Sequence, residues 1–405
     1  MQKISHDLFY LGSDDKTTKL FENVYPIPQG VSYNSYLLVD DRTILFDTAD
    51  AAVREEFFSN LQEALGGRKL DYLVVHHVEP DHSACFSELV EKYPSVTVVT
   101  SKKGAMMLKN FYGYEGAALE VGEGSELKTS NHTLRFVAAP MVHWPEVIFS
   151  FDEQTGTLFS ADAFGTFRTL DGKLFADDRF EEDYLDEARR YYCNIVGKYG
   201  AQVQAVLKKA AALPIGRICP LHGPVWETNI GWFAEKYRLW SAYEAEETGV
   251  VIFAGTVYGH TLEAGNLLKE ELEKRKIPAT VYDVSSRHVS YFVAEAFRYS
   301  FPVFASATYN NGIFDNMARL IDDLKAHNFQ NRAYALIENG SWAPQAGKLM
   351  EAELSALKNM RKVGETVTVL SALKEEGRAQ IARLAEEIAL KFAMNSVQSA
   401  DSRKE

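Results

Sequence analysis

Cysteine is scarce: Cys85, Cys193 and Cys219 are the only three in 405 residues, and they lie far apart. An odd, scattered set excludes a disulfide scaffold and offers no CxxC pair, which points to a reducing compartment. Long hydrophobic runs are lacking as well. No stretch of 18 or more apolar residues occurs, so a membrane-spanning helix is not expected. The opening segment, MQKISHDLFYLG, has neither the apolar core nor the small-residue cleavage site of a secretory signal. The Asn-x-Ser/Thr matches at Asn131 and Asn339 then read as chance. Positive charge is also short: 43 Lys and Arg stand against 56 Asp and Glu, a formal charge of -13, with no dense basic block. A general nucleic-acid surface is thereby excluded. The expectation is a soluble, cytoplasmic protein that engages neither membrane nor nucleic acid.

What is present is enough apolar residue, 46%, to fill real cores, and the length suits two domains better than one. Short strands and turns fill 7–48, with Asp40-Asp41 joining two of them as a hairpin. Residues 51–66 read as an amphipathic helix and 70–75 as a buried strand. From that strand emerges His76-His77-Val78-Glu79-Pro80-Asp81-His82. The spacing His77-x-Glu79-x-Asp81-His82 sets four potential metal ligands within six residues and leaves His76 outside. Carboxylates at the end of a buried strand are costly unless paired, and a metal removes that cost. Helices are expected near 85–93 and 102–110, and strands at 96–100, around Leu127 and at 133–138. This interleaving suggests two sheets flanked by helices.

Three later residues repeat the placement of a ligand just past an apolar strand. They are His143, Asp162 and His222, the last in a loop shaped by Pro220, Gly223 and Pro224. Asp47 stands similarly, but its Asp-Thr pair builds a turn or cap as readily as it holds a metal. With the first cluster these make seven donors, a number that suits two metals rather than one. Of the remaining histidines, His6, His132, His288 and His327 read as surface or satisfied side chains. Glu79, Asp81 and Asp162 supply hard oxygens and no cysteine is required, so iron, manganese and zinc are all admitted. A bridging carboxylate can hold two ions close enough to clamp a small substrate. The residues alone leave hydrolytic and redox uses open.

A helical run over 233–247 ends at Thr248-Gly249, and the pattern changes. Residues 250–254 form a buried, parallel-type strand, followed by Gly255-Thr256-Val257-Tyr258-Gly259-His260-Thr261 and an amphipathic helix through Lys274. Strand, hydroxyl-rich loop and helix together offer backbone N–H groups and a helix N-terminus to a phosphate. The loop is neither a Walker loop nor a GxGxxG fingerprint, and without Lys it suits a monophosphate. Strands at 279–283, 303–306, 332–337 and 366–370, with helices at 292–298 and 379–394, repeat the unit. Two of these strands open onto Thr308-Tyr309-Asn310-Asn311-Gly312 and Asn339-Gly340-Ser341-Trp342. Ligands in open α/β sheets sit at strand carboxyl ends. The three loops suit a planar ring stacked by an aromatic, although Tyr309 and Trp342 also fit ordinary half-buried aromatics. The tail after Met394 reads as short, polar and frayed.

Over essentially the whole chain this constellation resembles the flavodiiron proteins, also called A-type flavoproteins. The resemblance implies an α/β and α+β protein: a metallo-β-lactamase-like αββα sandwich over 1–248, then a flavodoxin-like doubly wound parallel sheet over 249–405. It implies two iron ions per chain, one held by His77, Glu79 and His143 and the other by Asp81, His82 and His222, with Asp162 as the bridge. Hydrolases of that superfamily usually carry His where Glu79 stands; the substitution makes the donor set harder, and the resemblance then implies iron rather than zinc. FMN is expected with its phosphate at Thr256 through Thr261 and its ring between Thr308 to Gly312 and Asn339 to Trp342. His260 stands where Asn is common, Ala307 where Pro is common, and the third loop is less glycine-rich; these differences bear on flavin potential and ring contacts. The implied activity takes electrons from an external donor, such as rubredoxin or a reduced deazaflavin, through FMN to the diiron centre. There dioxygen is reduced to water, nitric oxide to nitrous oxide, or both, in a head-to-tail homodimer or a dimer of dimers. The alternative is a metal-dependent hydrolase with an accessory flavodoxin-like module, which leaves three loops without a catalytic task.

Overall fold

The computed structural model describes residues 1–401, with side chains through residue 394. The chain divides into two compact units, Met1–Ala242 and Tyr243–Glu405.

In the first unit the apolar strands build two sheets. One runs, in spatial order, Gln2–Lys3, Leu8–Tyr10, Tyr36–Val39, Thr43–Phe46, Tyr72–Val74, Thr97–Ser101 and Ala118–Val121. Its pairs are antiparallel as far as Thr43–Phe46 and parallel beyond it. The other runs Glu126–Lys128, Thr133–Ala138, Ile148–Asp152, Thr157–Phe159 and Arg217–Cys219, antiparallel except for the last pair. Their inner faces meet in one core, where Phe46, Val74 and Val99 join Phe136, Ile148 and Phe159. The rings of Phe46 and Phe159 stack with centroids 3.8 Å apart. Full burial of each such side chain contributes about 1.5–3 kcal/mol relative to exposure.

Helices Arg54–Leu65 and Lys102–Tyr112 lie against the first sheet. The first stops at Gly66, whose φ of 55° is the left-handed conformation a helix end requires. The second is started by Ser101, whose side chain accepts the Gly104 N–H. Every residue of Ile148–Asp152 is buried, so the second sheet is covered on both faces. The αββα sandwich expected from the sequence is thus observed. Thr133–Ala138 and Thr157–Phe159 both run opposite to Ile148–Asp152, and Arg217–Cys219 runs with Thr157–Phe159. Three carboxyl ends therefore share one edge of that sheet.

The second unit is a parallel sheet in the spatial order Ala279–Asp283, Glu247–Gly255, Tyr299–Tyr309 and Ala333–Asn339. The last of these pairs with both Arg361–Lys362 and Val367–Val369. The chain leaves Glu247–Gly255 for one side and then crosses to the other, which makes its carboxyl end a topological switch point. Helices His260–Lys274 and Glu375–Asp401 pack together, and Ala264, Leu268, Ile381 and Leu384 share a core with sheet residues Ile252 and Val303. Helices Val289–Arg298, Asp315–Ala326 and Ala346–Ser355 also contact the sheet and one another in sequence. This is the doubly wound sheet expected for the second half.

Two boundaries differ from the sequence reading. The helix expected over 233–247 is Ile230–Ser241, and Glu247 already opens the next strand. Tyr243 takes a left-handed φ of 57° that ends the helical path, and Arg332 holds its carbonyl at 2.5 Å. Helix Glu375–Asp401 takes in part of the tail that reads as frayed; residues 402–405 and the side chains from 395 onward lie outside the described residues. Among the described residues no helix is long and apolar enough to cross a membrane.

Candidate metal centre and cofactor pocket

The loop after Tyr72–Val74 is held by a residue that is not itself a metal candidate. Asp47, at the end of Thr43–Phe46, accepts the His76 N–H at 2.7 Å and the His77 N–H at 3.3 Å with one oxygen. With the other it meets His76 Nδ1 at 2.5 Å. His76 Nε2 reaches Ser150 Oγ at 2.8 Å, and its ring stacks on Phe46. Asp47 therefore serves as a turn and cap, and His76 is a satisfied core residue. His77, next in the chain, is turned the other way.

All seven sequence candidates come together in two adjacent groups: His77, Glu79, His143 and Asp162, and Asp81, His82 and His222. In the first, His77 Nε2 and His143 Nε2 each lie 3.1 Å from Glu79 Oε2. Asp162 Oδ2 is 3.1 Å from His143 Nε2 and 3.5 Å from His77 Nε2. In the second, His82 Nε2 and His222 Nε2 each lie 3.2 Å from Asp81 Oδ2. The other oxygen of Asp162, Oδ1, is 3.0 Å from His82 Nε2 and 3.7 Å from His222 Nε2. One carboxylate thus faces both groups with different oxygens.

The chemistry of these atoms fits cations. Both oxygens of Asp81, both ring nitrogens of His82, Asp162 Oδ1 and His222 Nε2 are buried and make no hydrogen bond. Buried polar atoms are rarely left so, and here they converge. Burial opposes charge on His82 and His143, yet neighbouring carboxylates, Asp81 and Asp162 for the first and Asp162 and Glu79 for the second, lift both to about 9. His77 is raised in the same sense, chiefly by hydrogen bonds to Glu146 and Glu79 that outweigh its burial. Burial would raise the carboxyls of Glu79 and Asp162, but the surrounding imidazoles hold both below the usual range. The donors are arranged to stabilise positive charge at their centre.

Outer contacts orient the rings. His77 Nδ1 donates to Glu146 Oε1 at 2.7 Å and His222 Nδ1 to the Ser32 carbonyl at 2.8 Å, which turns each Nε2 inward. Glu146 escapes a motif search because it follows His143-Trp144-Pro145 without strand or helix; its signal is a carboxylate three residues past a candidate ligand. Tyr191 and Phe21 were equally silent. Tyr191 is fully buried, its hydroxyl makes no hydrogen bond, and its ring lies 5.5 Å from His222.

In the second unit the three loops surround a cavity of 710 Å³. Thr256, Val257, Tyr258, His260 and Thr261 line one part, Thr308 to Asn311 another, and Asn339 to Trp342 a third, with Ala307, Ala343 and Ser371 added. Gly259 and Gly312 shape the loops instead of lining the space. Gly259 has φ 97° at the start of helix His260–Lys274 and donates its N–H to Thr256 Oγ1 at 3.0 Å. Gly312 pairs with Tyr309 in a short hairpin. Thr308 Oγ1 accepts the N–H groups of Gln345 and Ala346 at 3.0 and 3.1 Å, and Asn339 exchanges hydrogen bonds with Ser371. These two residues therefore brace the rim. Tyr258 and Trp342 are 92% and 89% exposed beside the cavity, a placement that suits stacking on a flat ligand.

Fold and site define a two-domain protein with a paired His/carboxylate centre on a β-sandwich and a planar-ligand cavity at the switch point of an α/β sheet. Comparison with known proteins agrees. A family model described as ODP family beta lactamase matches residues 31–223. The chain is 27% identical to the nitric oxide reductase of Moorella thermoacetica, over 88% of this chain and 90% of that one. Its fold matches rubredoxin:oxygen oxidoreductase from Desulfovibrio gigas with a TM-score of 0.89 at 24% identity, covering 97% of this chain and 98% of that chain. It also matches the flavodiiron protein from Giardia intestinalis with a TM-score of 0.87 at 23% identity, over 97% and 98%. In fold the chain is similar to the flavodiiron proteins over nearly its whole length, and residues 31–223 carry the ODP-type beta-lactamase domain.

Proposed function

We propose that this protein is an oxidoreductase that takes electrons from an external donor onto FMN and passes them to a pair of iron ions, where dioxygen is reduced to water, nitric oxide to nitrous oxide, or both. The observation that carries the reading is Asp162, whose two oxygens face two separate His/carboxylate groups. His77, Glu79 and His143 would hold one iron and Asp81, His82 and His222 the other, with Asp162 shared between the two groups. His82 belongs with the ligands because its Nε2 faces Asp81 and Asp162 from within the second group. Bound FMN exchanges electrons singly or in pairs, and a bound iron pair supplies the Lewis acidity and reducing equivalents for a small gas.

The chain's own residues set the conditions. Glu146 and the Ser32 carbonyl keep the His77 and His222 rings aimed at the metals, and Asp47 fixes the backbone of the loop. The buried aromatics Phe21, Tyr33 and Tyr191 surround His222 and limit water around that side. In the second domain Gly259, Thr256 and the N-terminus of helix His260–Lys274 would receive the FMN phosphate, and Trp342 and Tyr309 would hold its ring. The likeness to the Moorella nitric oxide reductase supports reductase chemistry, and the harder donor Glu79 supports iron. A protein-type donor such as rubredoxin, or a reduced deazaflavin, a cytoplasmic setting and a head-to-tail pairing of subunits complete the proposal. Anaerobic purification with metal analysis and a flavin spectrum tests it. About two iron ions and one FMN per chain are expected, consistent with a two-metal site; zinc without flavin overturns it.

A further inference from the structure

The cavity of the second unit is nearly without charge. Among the described residues that line it none is Lys, Arg, Asp or Glu; its walls are hydroxyls, amides, small residues and the rings of Tyr258, Tyr309 and Trp342. His260 is the single lining side chain among them able to carry a positive charge.

His260 owes its place to the turn before it. Gly259 takes φ 97° and donates its N–H to Thr256 Oγ1 at 3.0 Å, so the helix begins at His260 itself. Unpaired backbone N–H groups gather at that end, and with the helix dipole they favour an anion. A cation on the first turn is unfavourable by itself. A bound anion reverses the sign, because the imidazolium then adds a full charge to the partial ones.

The charged groups around His260 are few. On its own helix Glu263 Oε2 approaches Nδ1 at 3.5 Å, at the long end of the hydrogen-bond range, and the two side chains are 51% and 46% exposed. The other oxygen of Glu263 is held at 3.2 Å by Arg378, from helix Glu375–Asp401. The strand ends and the other two loops bring no charged group to the cavity. Glu263 is thus shared with Arg378, and among the described residues none engages His260 Nε2.

We propose that His260 is a specificity-determining residue of the flavin site: its imidazolium supplies the positive charge that selects a phosphorylated flavin over an unphosphorylated one. The proposal rests on the FMN reading above. A phosphate monoester carries a charge of about −1.5 to −2 at neutral pH, and neutral donors meet that charge only with dipoles. Hydrogen bonds between charged groups are the stronger kind, while the half-exposure of the ring screens part of the gain. Histidine changes charge between about pH 5 and 8, so the preference for FMN weakens as the ring loses its proton.

The test uses the full-length protein loaded with FMN or with riboflavin. Flavin release on dilution is followed by the rise in flavin fluorescence, at about pH 6.5 and about pH 8.5. In the unsubstituted protein FMN is expected to leave about fivefold faster at the higher pH, and riboflavin at one rate. His260→Gln should release FMN quickly at both, and His260→Lys, which keeps a cation throughout the range, slowly at both. The same pH dependence in His260→Gln as in the unsubstituted protein overturns the proposal, and so does an equal dependence for riboflavin. Retention of neither flavin by the unsubstituted protein is a different failure, that of the FMN reading itself.

Discussion

Glu146 Oε1 accepts hydrogen bonds from His77 Nδ1 at 2.7 Å and from the Val78 N–H at 3.0 Å, with the side chains of Glu146 and His77 both 0% exposed. One carboxylate oxygen thereby fixes a ring and the backbone that follows it. Outer partners of this kind change metal affinity by about 10–100-fold. Glu146→Ala is expected to accelerate iron loss to a chelator by that order, and Glu146→Gln, which keeps an acceptor, by less. An unchanged rate in Glu146→Ala would show that backbone and packing alone hold His77.

Asp162 and His222 should fail in different ways. Asp162 contacts both groups, whereas His222 belongs to one. Asp162→Ala is expected to lose both irons together, and His222→Ala to retain the metal of the His77 group. Metal analysis of the two purified variants decides this. Equal stoichiometry in both would remove Asp162 from the bridging role.

The grouping of the seven candidate ligands was legible because each follows an apolar strand, and four of them fall inside one short stretch. Strand ends are visible in sequence, and clustered His and carboxylate residues have no packing explanation there. The cavity loops were legible for the same reason, since strand, turn and helix leave a hydrophobic pattern. Glu146 was not, because its function depends on a loop conformation that apolar periodicity does not encode. The helix read past Ser241 failed because Tyr243 takes a left-handed φ without glycine, so no residue type announced the stop.

Trp342 is 89% exposed beside the cavity, and Gly259 at the opposite loop has φ 97° with no atom within 4 Å of an added Cβ. Trp342→Ala removes an aromatic contact worth about 0.5–1.5 kcal/mol, so FMN should bind several-fold more weakly. Gly259→Ala meets no clash; its cost is backbone strain of about 1–2 kcal/mol, paid where the N–H groups face the phosphate. Fluorescence titration of deflavinated protein with FMN and with riboflavin separates the two. Trp342→Ala should weaken both ligands, and Gly259→Ala mainly FMN. The reverse pattern would exchange the assigned roles of the loops.

His132 carries the pH prediction for the fold. Its Nδ1 meets Asp152 and its Nε2 meets Asp7, each at 2.9 Å, and His6 also approaches Asp7 at 3.0 Å. Burial disfavours the imidazolium, but Asp152 and Asp7 outweigh it and raise the His132 pKa above the ordinary 6.5. A raised folded-state pKa contributes stability that is fully present below the unfolded value and is lost as pH rises through the folded one. The unfolding midpoint in urea should therefore decline over a window beginning near pH 6.5. In His132→Gln that decline should flatten. At the acidic end His132→Ala should lower the midpoint relative to the unsubstituted protein, because Asp7 and Asp152 lose their shared partner and keep only Ser5 and His6 on one side and Thr155 and Gln154 on the other. Midpoints measured across the window for all three proteins decide the matter, since a parallel decline in His132→Gln assigns the effect to other groups.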